Sequence, residues 1–381
     1  MMKLLFVFGT RPEAIKMAPV IIELKKYPEI FDVKVCVTAQ HRQMLDQVMN
    51  WFHIAPDYDL NIMKPGQDLY DITANVLVEM KSVLRESAPD LILVQGDTTT
   101  VMAASIAAFY TQIPIAHIEA GLRTNNLLSP FPEEFNRRVT SIITKYHFAP
   151  TKTACQNLLD ERVFNDDIYV TGNTVIDALM LSMEKIKGNL GKYYKLPQFK
   201  DIDFSKQLVL ITAHRRENFG QEFKNMCGGI KSLANTYPDI EFVYPVHLNP
   251  NVQTPVNEIL TGIPNIKLIT PLDYENFVFM MSKSRIVLTD SGGVQEEAPS
   301  LGKPVLVMRN NTERPEAVTA GTVKLVGTDN NKIFNEVSKL IDDPVYYQKM
   351  STAVNPYGDG NASSRIKAIL AGEQFVEFGN N

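Results

Sequence analysis

Cysteine is scarce in this chain, and it lacks the segments that would place it in a membrane or on a nucleic acid. Cys36, Cys155 and Cys227 are the 3 cysteines in 381 residues. They are widely spaced and set among apolar neighbours. That excludes a disulfide framework and a cysteine metal site, and predicts buried free thiols in a reducing compartment. No apolar run is long enough to span a bilayer. The apolar start, Met1-Met2-Lys3-Leu4-Leu5-Phe6-Val7-Phe8-Gly9, is too short for a secretory leader and reads as a first strand. The expected location is cytoplasmic. Basic excess is also missing. A net charge of −5 argues against a nucleic-acid surface and against a basic membrane patch. No His/Cys grouping has metal-ligand spacing, so no metal is expected, and no Gly-x-Ser-x-Gly elbow marks a serine hydrolase. There is no periodic repeat.

What is present is ordinary globular material, 45% hydrophobic and 21% charged, in a chain long enough to predict two domains. Apolar, β-branched runs at 3–8, 33–38, 91–95 and 113–118 read as strands. Between and after them, 14–26, 44–52, 69–86 and 101–110 read as helices. Strand-helix alternation predicts a parallel sheet covered on both faces, with ligands beyond the carboxyl ends of its strands. A strand at 167–172 and a helix at 173–187 follow. The stretch 188–206, with glycines, Pro197 and mixed charges, reads as a surface excursion. The alternation then restarts, with strands at 207–212, 241–245, 266–270, 286–288 and 305–308. The predicted fold class is α/β: two Rossmann-like, doubly wound parallel-sheet domains facing across a cleft. Their bounds are 1–172 and 173–360, with a last helix in 361–381.

The strand-to-helix junctions hold the candidate chemistry. In Thr289-Asp290-Ser291-Gly292-Gly293-Val294-Gln295-Glu296-Glu297, a strand meets a helix that is predicted to stop at Gly302. Ser291, Gly292 and Gly293 would either form a plain tight turn or cradle a diphosphate on free N–H groups that no Cβ obstructs. Glu296 or Glu297, a turn further on, can accept from ribose hydroxyls. In Gly9-Thr10-Arg11-Pro12-Glu13-Ala14-Ile15-Lys16, Arg11 and Lys16 either are solvated charges or meet an anion. Cations at a helix start run against its dipole, which favours a functional reason. Asp97, in Gln95-Gly96-Asp97-Thr98, either caps a helix or serves as an acid/base group. Glu119 ends an apolar strand, where an unpaired carboxylate is costly. It needs a cation nearby or a raised pKa, and the latter suits proton transfer. Glu133 and Glu134 open a helix that favours acids, and one of them can face the ligand. His214 ends a strand beside Arg215 and Arg216. His247 ends another among prolines. Arg314 would reach the diphosphate or pair with Glu296 or Glu297.

These blocks, with His117-Ile118-Glu119-Ala120-Gly121-Leu122-Arg123-Thr124, Pro132-Glu133-Glu134, Thr212-Ala213-His214-Arg215-Arg216-Glu217-Asn218, Glu313-Arg314-Pro315-Glu316 and Asn355-Pro356-Tyr357-Gly358-Asp359-Gly360, resemble the non-hydrolysing UDP-N-acetylglucosamine 2-epimerases over nearly the full length. The resemblance implies a glycosyltransferase-B type fold, a last helix crossing back to the first domain, and no NAD or other cofactor. It implies interconversion of UDP-GlcNAc and UDP-ManNAc by elimination and re-addition of UDP through a 2-acetamidoglucal. By motif position, Asp97, Glu119 and Glu133 look like the acid/base carboxylates. Arg11, Lys16 and His214 look like groups that steer UDP and sugar. Ser291, Gly292, Gly293, Glu297, Arg314 and Phe277 look like UDP ligands. Gln40, Gln43, Arg215 and His247 match a second UDP-GlcNAc site at which relatives are activated. Gly66 stands where a basic residue is frequent, and Leu272 where a polar one is common near the uracil. A homodimer and a role in surface-polysaccharide precursor synthesis are family expectations. The rivals are a retaining glycosyltransferase, a hydrolysing epimerase and a nucleotide-sugar-binding regulator without turnover. Three carboxylates around an anion argue against the last.

Overall fold

The structure, a computed structural model, describes residues 1–38, 42–64 and 66–379. The chain packs as two units, Met1–Met180 together with the segment from Tyr357 onward, and Leu181–Pro356. The division falls inside the helix Thr174–Lys187.

In the first unit, strands β1 (Met2–Phe8), β2 (Phe31–Val37), β3 (Tyr58–Asp59), β4 (Leu91–Gln95), β5 (Ile115–Ile118), β6 (Tyr146–Ala149) and β7 (Ile168–Val170) form one sheet. Its order is β3-β2-β1-β4-β5-β6-β7, and every neighbouring pair is parallel. Helices cover both faces of a parallel sheet, so its interior strand β1 is apolar without alternation. Leu4, Leu5, Phe6, Val7 and Phe8 are at most 1% exposed, each contributing about 1.5–3 kcal/mol of burial. The helix Thr99–Tyr110 is likewise buried through most of its length. It packs between the helices Leu69–Ser87 and Glu133–Ile143.

Chain order reverses between β1 and β4, because β1 has β2 on one side and β4 on the other. Helices leave the sheet in opposite directions at such a point and open a crevice at the strand ends. The helix Ala362–Ala371 packs against the helix Arg11–Leu24. Its first amides, Ala362 N and Ser363 N, donate to Asp177 at 3.3 and 2.7 Å. Arg365 grips Asp359 through two bonds of 2.8 and 2.7 Å.

The second unit repeats the plan with β8 (Gln207–Thr212), β9 (Ile240–Pro245), β10 (Ile266–Ile269), β11 (Ile286–Thr289), β12 (Val305–Val307) and β13 (Val323–Leu325). The order is β10-β9-β8-β11-β12-β13, again all parallel, with the reversal between β8 and β11.

The stretch 188–206 is mostly exposed, as expected of a surface excursion, but it is anchored by buried aromatics. It holds the helix Leu190–Tyr194, and Tyr193 and Phe199 are 2% and 1% exposed. Their rings stack on Phe279 with centroids 4.9 and 5.6 Å apart. Aromatic payload won over the local turn signals. Of the thiols, Cys36 and Cys227 are buried and free, and burial pushes both up to about 12. Cys155 is free but only half-buried, which corrects the expectation for it.

Candidate active site

In the first unit the polar residues gather where the chain leaves β1, β4 and β5. Thr10 and Glu13 form a capping box at the head of the helix Arg11–Leu24, with Pro12 in its first turn. Glu13 Oε2 accepts from the Gly9 and Thr10 amides at 3.1 and 2.7 Å. Its Oε1 accepts from the Thr98 hydroxyl at 2.8 Å. One buried carboxylate therefore laces the end of β1 to the end of β4. Burial pushes its pKa up against the pull of the Thr10 and Thr98 hydroxyls and the Gly9 and Thr10 amides.

Lys16, one turn further, pairs with Glu119. Gln95, the last residue of β4, donates to the same carboxylate. The cation called for by a carboxylate at the end of an apolar strand is thus Lys16. Glu119 has φ +65, a left-handed conformation that costs a non-glycine residue about 1–3 kcal/mol. Its neighbours hold it there. Ala120 N donates to Phe148 O at 3.1 Å, and Gly121 O accepts from Asn157 Nδ2 at 2.9 Å. Gly121, at φ +88, lies so close to the Ala154 carbonyl that a Cβ would sit 2.2 Å from its oxygen.

Asp97 does not cap the helix Thr99–Tyr110. Thr98 does, accepting from Val101 N at 3.3 Å. That leaves the Asp97 carboxylate to Arg137, with which it pairs. Asn136 Nδ2 donates to Asp97 O at 2.9 Å. Two consecutive residues of the helix Glu133–Ile143 therefore hold Asp97, and Glu133 sits in the first turn of that helix. Glu133 Oε2 is buried and has no hydrogen-bond partner among the described residues. Glu134 is the structural member of the pair. It is fully buried and accepts from Thr124 N at 3.0 Å, Asn125 N at 3.1 Å and Arg138 Nε at 3.1 Å. Burial pushes its carboxyl up, but the Thr124 amide, Arg138 and Arg137 together hold it below its ordinary value. His117 Nε2 donates to Gly96 O at 2.7 Å, which steadies the turn before Asp97; burial lowers this imidazole to about 3. Arg11 is half-buried and makes no ion pair with a described residue.

In the second unit the polar residues follow β8 and β11. Asp290, fully buried, accepts from the His214 and Arg215 amides through Oδ2 at 2.8 and 2.7 Å. Ser291 precedes the short helix Gly292–Glu297 in extended backbone, φ −84 and ψ 134, without a side-chain cap bond among the described residues. A Cβ on Gly292 would come within 3.1 Å of Glu313 Oε1 and 3.5 Å of Arg215 Nη2, so the space above that turn is lined by a carboxylate and a guanidinium. Gly293 follows with open space around it apart from Glu297 Oε2 at 4.0 Å. Glu297 accepts from Tyr274 OH at 3.0 Å. Arg314 pairs with Glu296, one of the partners expected for it. Phe277 is half-buried on the helix Tyr274–Lys283. Arg215 lies 3.4 Å from Glu313, and the His247 ring stacks on His214 at 5.4 Å. Gln43 is exposed on the helix Arg42–Phe52 in the first unit. Gln40 lies outside the described residues.

Glu13, Gln95, Asn136, Arg137 and Asp290 were not singled out from the sequence as site residues. A signal existed only for Glu13, since Thr10-x-x-Glu13 is a capping-box pattern.

Two doubly wound units, each collecting charged and polar groups at its topological switch point, define an α/β protein of the glycosyltransferase-B type. Comparison with known proteins agrees. A profile of the UDP-N-acetylglucosamine 2-epimerase family matches residues 23–371. The UDP-N-acetylglucosamine 2-epimerase of Neisseria meningitidis serogroup A is 58% identical over 369 residues, covering 97% of this chain and 99% of that protein. That of Escherichia coli K12 is 57% identical over 375 residues, covering 97% and 98%. A crystal structure of the Neisseria meningitidis UDP-GlcNAc 2-epimerase bound to UDP-GlcNAc superposes with a TM-score of 0.90 at 56% identity, covering 98% of this chain and 100% of that one. The chain belongs to the UDP-N-acetylglucosamine 2-epimerase family, and it is an epimerase, an isomerase. No helix among the described residues is long and apolar enough to cross a membrane.

Proposed function

We propose that this chain interconverts UDP-GlcNAc and UDP-ManNAc. The C2–H bond breaks as its proton passes to a carboxylate. The electron pair left at C2 forms the C1=C2 bond, and the C1–O bond breaks to release UDP. A 2-acetamidoglucal remains. UDP then adds back at C1, while C2 takes a proton on the opposite face. Proton removal at weakly acidic C2 is eased because the leaving diphosphate carries the developing charge away, where cations and backbone N–H groups stabilise it. Two faces of one carbon call for separate proton-transfer groups.

Asp97, Glu119 and Glu133 are assigned that work. Arg11, Lys16 and His214 steer the diphosphate and sugar. Ser291, Gly292, Gly293, Glu297, Arg314 and Phe277 hold UDP. The observation that carries the reading is the pairing of two junction carboxylates with fixed cations, Glu119 with Lys16 and Asp97 with Arg137, beside the unpartnered oxygen of Glu133. A structural ion pair explains the first two, but a buried carboxylate oxygen without a donor asks for a ligand. The relatives' shared name and the Neisseria meningitidis complex support the substrate. The reading extends to a cytoplasmic homodimer that uses no NAD or metal and supplies UDP-ManNAc for surface polysaccharide. A second UDP-GlcNAc at Gln40, Gln43, Arg215 and His247 would act as activator.

The test is turnover of UDP-GlcNAc in deuterated water, followed by NMR. UDP-ManNAc carrying deuterium at C2 is expected. Unlabelled product, or free ManNAc with UDP as the main products, overturns the proposal.

A further inference from the structure

His214 ends β8 at the switch point of the second unit, and Asp290 lies directly beneath it at the end of β11. The paired strands place them: Thr212 is opposite Thr289 in the ladder, and the two hydroxyls are 2.5 Å apart. Asp290 is 0% exposed. Its Oδ2 is used twice, by the backbone amides of His214 and Arg215. Its Oδ1 is buried and has no hydrogen-bond partner among the described residues, and it faces His214 Nδ1 at 3.7 Å. That is slightly long for a bond and within a small rotation of the imidazole. One face of the ring is covered by His247, stacked at 5.4 Å with 13° between planes. His247 Nδ1 is already an acceptor, taking the Asn249 amide at 3.1 Å, so it offers His214 no competing proton site through that atom.

We infer that Asp290 is a positioning residue for His214: its second carboxylate oxygen takes the Nδ1–H of the imidazole and thereby presents Nε2 away from the protein, toward the diphosphate of the bound nucleotide. A carboxylate behind a histidine selects the tautomer with the proton on the near nitrogen and stabilises the imidazolium when the far nitrogen is protonated. The far nitrogen can then donate to a phosphate oxygen with a full charge behind it. Asp290 adds to this by pinning the backbone of the same histidine, so ring and main chain are oriented by one group. The charged and titratable groups around the ring are Asp290, His247 and Arg215, with Glu313 beside Arg215. Burial lowers the His214 pKa, and His247 and Arg215 add to that; Asp290 is the group that opposes it. The orientation of His214 stands on the geometry alone. Its use toward a diphosphate rests on the function proposed above.

The experiment is 15N NMR of the histidine side chains in the full-length protein without ligand, with the His214 signals assigned by their loss in His214→Gln. In wild type the Nδ1–H tautomer is expected. In Asp290→Asn one oxygen can still hold the two amides, while the side-chain NH2 now faces Nδ1. The tautomer should therefore switch to Nε2–H, and the midpoint of the His214 titration should fall by about one pH unit, the ordinary size of losing an opposite charge at this range. His247→Gln, which removes the stacked ring and leaves Asp290, should keep the Nδ1–H tautomer. A wild-type Nε2–H tautomer overturns the inference whether or not any variant folds. So does an Asp290→Asn protein with unchanged tautomer and midpoint. UDP affinity, measured by calorimetry, should weaken at least tenfold in Asp290→Asn at pH 7. If the tautomer switches as stated but wild type neither binds UDP nor turns over UDP-GlcNAc, the positioning stands and the functional reading falls.

Discussion

The ammonium of Lys16 and the carboxylate of Glu119 are paired across two strand ends, the helix after β1 supplying the cation and the residue after β5 the acid. Only 13% and 8% of the two side chains is exposed, so the pair is held by the fold and little screened by water.

Because the two groups work as one unit, their losses should not add. Lys16→Met and Glu119→Gln are each expected to lower kcat/KM by about 10²- to 10⁴-fold. The double variant should be no worse than about threefold below the poorer single, since the second substitution removes a partner that has already lost its function. Turnover followed by NMR decides this. Fully multiplicative losses would mean that the two groups act independently.

Asp97→Asn keeps the shape and removes the charge opposite Arg137. UDP affinity by calorimetry should change by less than about threefold, while kcat falls by about 10²- to 10⁴-fold, the usual range for losing a proton-transfer group. A variant with wild-type turnover removes Asp97 from the acid/base set.

Glu13 titrates against the fold. Burial raises its pKa in the folded chain above the ordinary carboxyl value of 4.5. A group raised in this way gives its stabilisation below the unfolded pKa and loses it as pH climbs through the folded one. Glu13→Gln stays neutral throughout. Its melting temperature relative to wild type should therefore rise steadily as pH increases from about 4.5. Glu13→Ala, which leaves the Gly9 and Thr10 amides and the Thr98 hydroxyl without their acceptor, should lose about 2–4 kcal/mol. A pH-independent difference between Glu13→Gln and wild type would contradict the raised pKa.

Two glycines with similar backbone should respond very differently to alanine. Gly96 has φ +78 and nothing within 4 Å of a built Cβ, so Gly96→Ala should lose about 1–2 kcal/mol, the penalty of a left-handed alanine. Gly121→Ala adds a Cβ 2.2 Å from a backbone oxygen and should lose at least about 3 kcal/mol or fail to accumulate folded. Chemical denaturation of the two variants gives the comparison directly.

The doubly wound plan was legible because long apolar strands such as β1 and β4 alternate with helices, and a period change needs no tertiary information to be seen. Short strands were not. β6 carries a histidine and a tyrosine in four residues, and β3 has two residues in all; each is a strand only because a neighbour supplies the ladder. The anchoring of the stretch 188–206 was hidden because glycine and proline are read locally, whereas Tyr193 and Phe199 stack on Phe279, 86 and 80 positions away. Within the site, the junction motifs named Asp97, Glu119 and Lys16, but the partners were hidden where no motif pointed. Arg137 reaches Asp97 across 40 positions, and Asp290 reaches His214 across 76.

The tail that begins at Tyr357 has a bearing on the order in which the protein matures. Asp177 waits for the amides of Ala362 and Ser363, and Asn173 N for the Tyr357 carbonyl at 2.7 Å. On the ribosome, these bonds of the portion translated first can form only after residues 357–363 have emerged. The middle unit, Leu181–Pro356, is contiguous and draws on no such late segment for its own sheet.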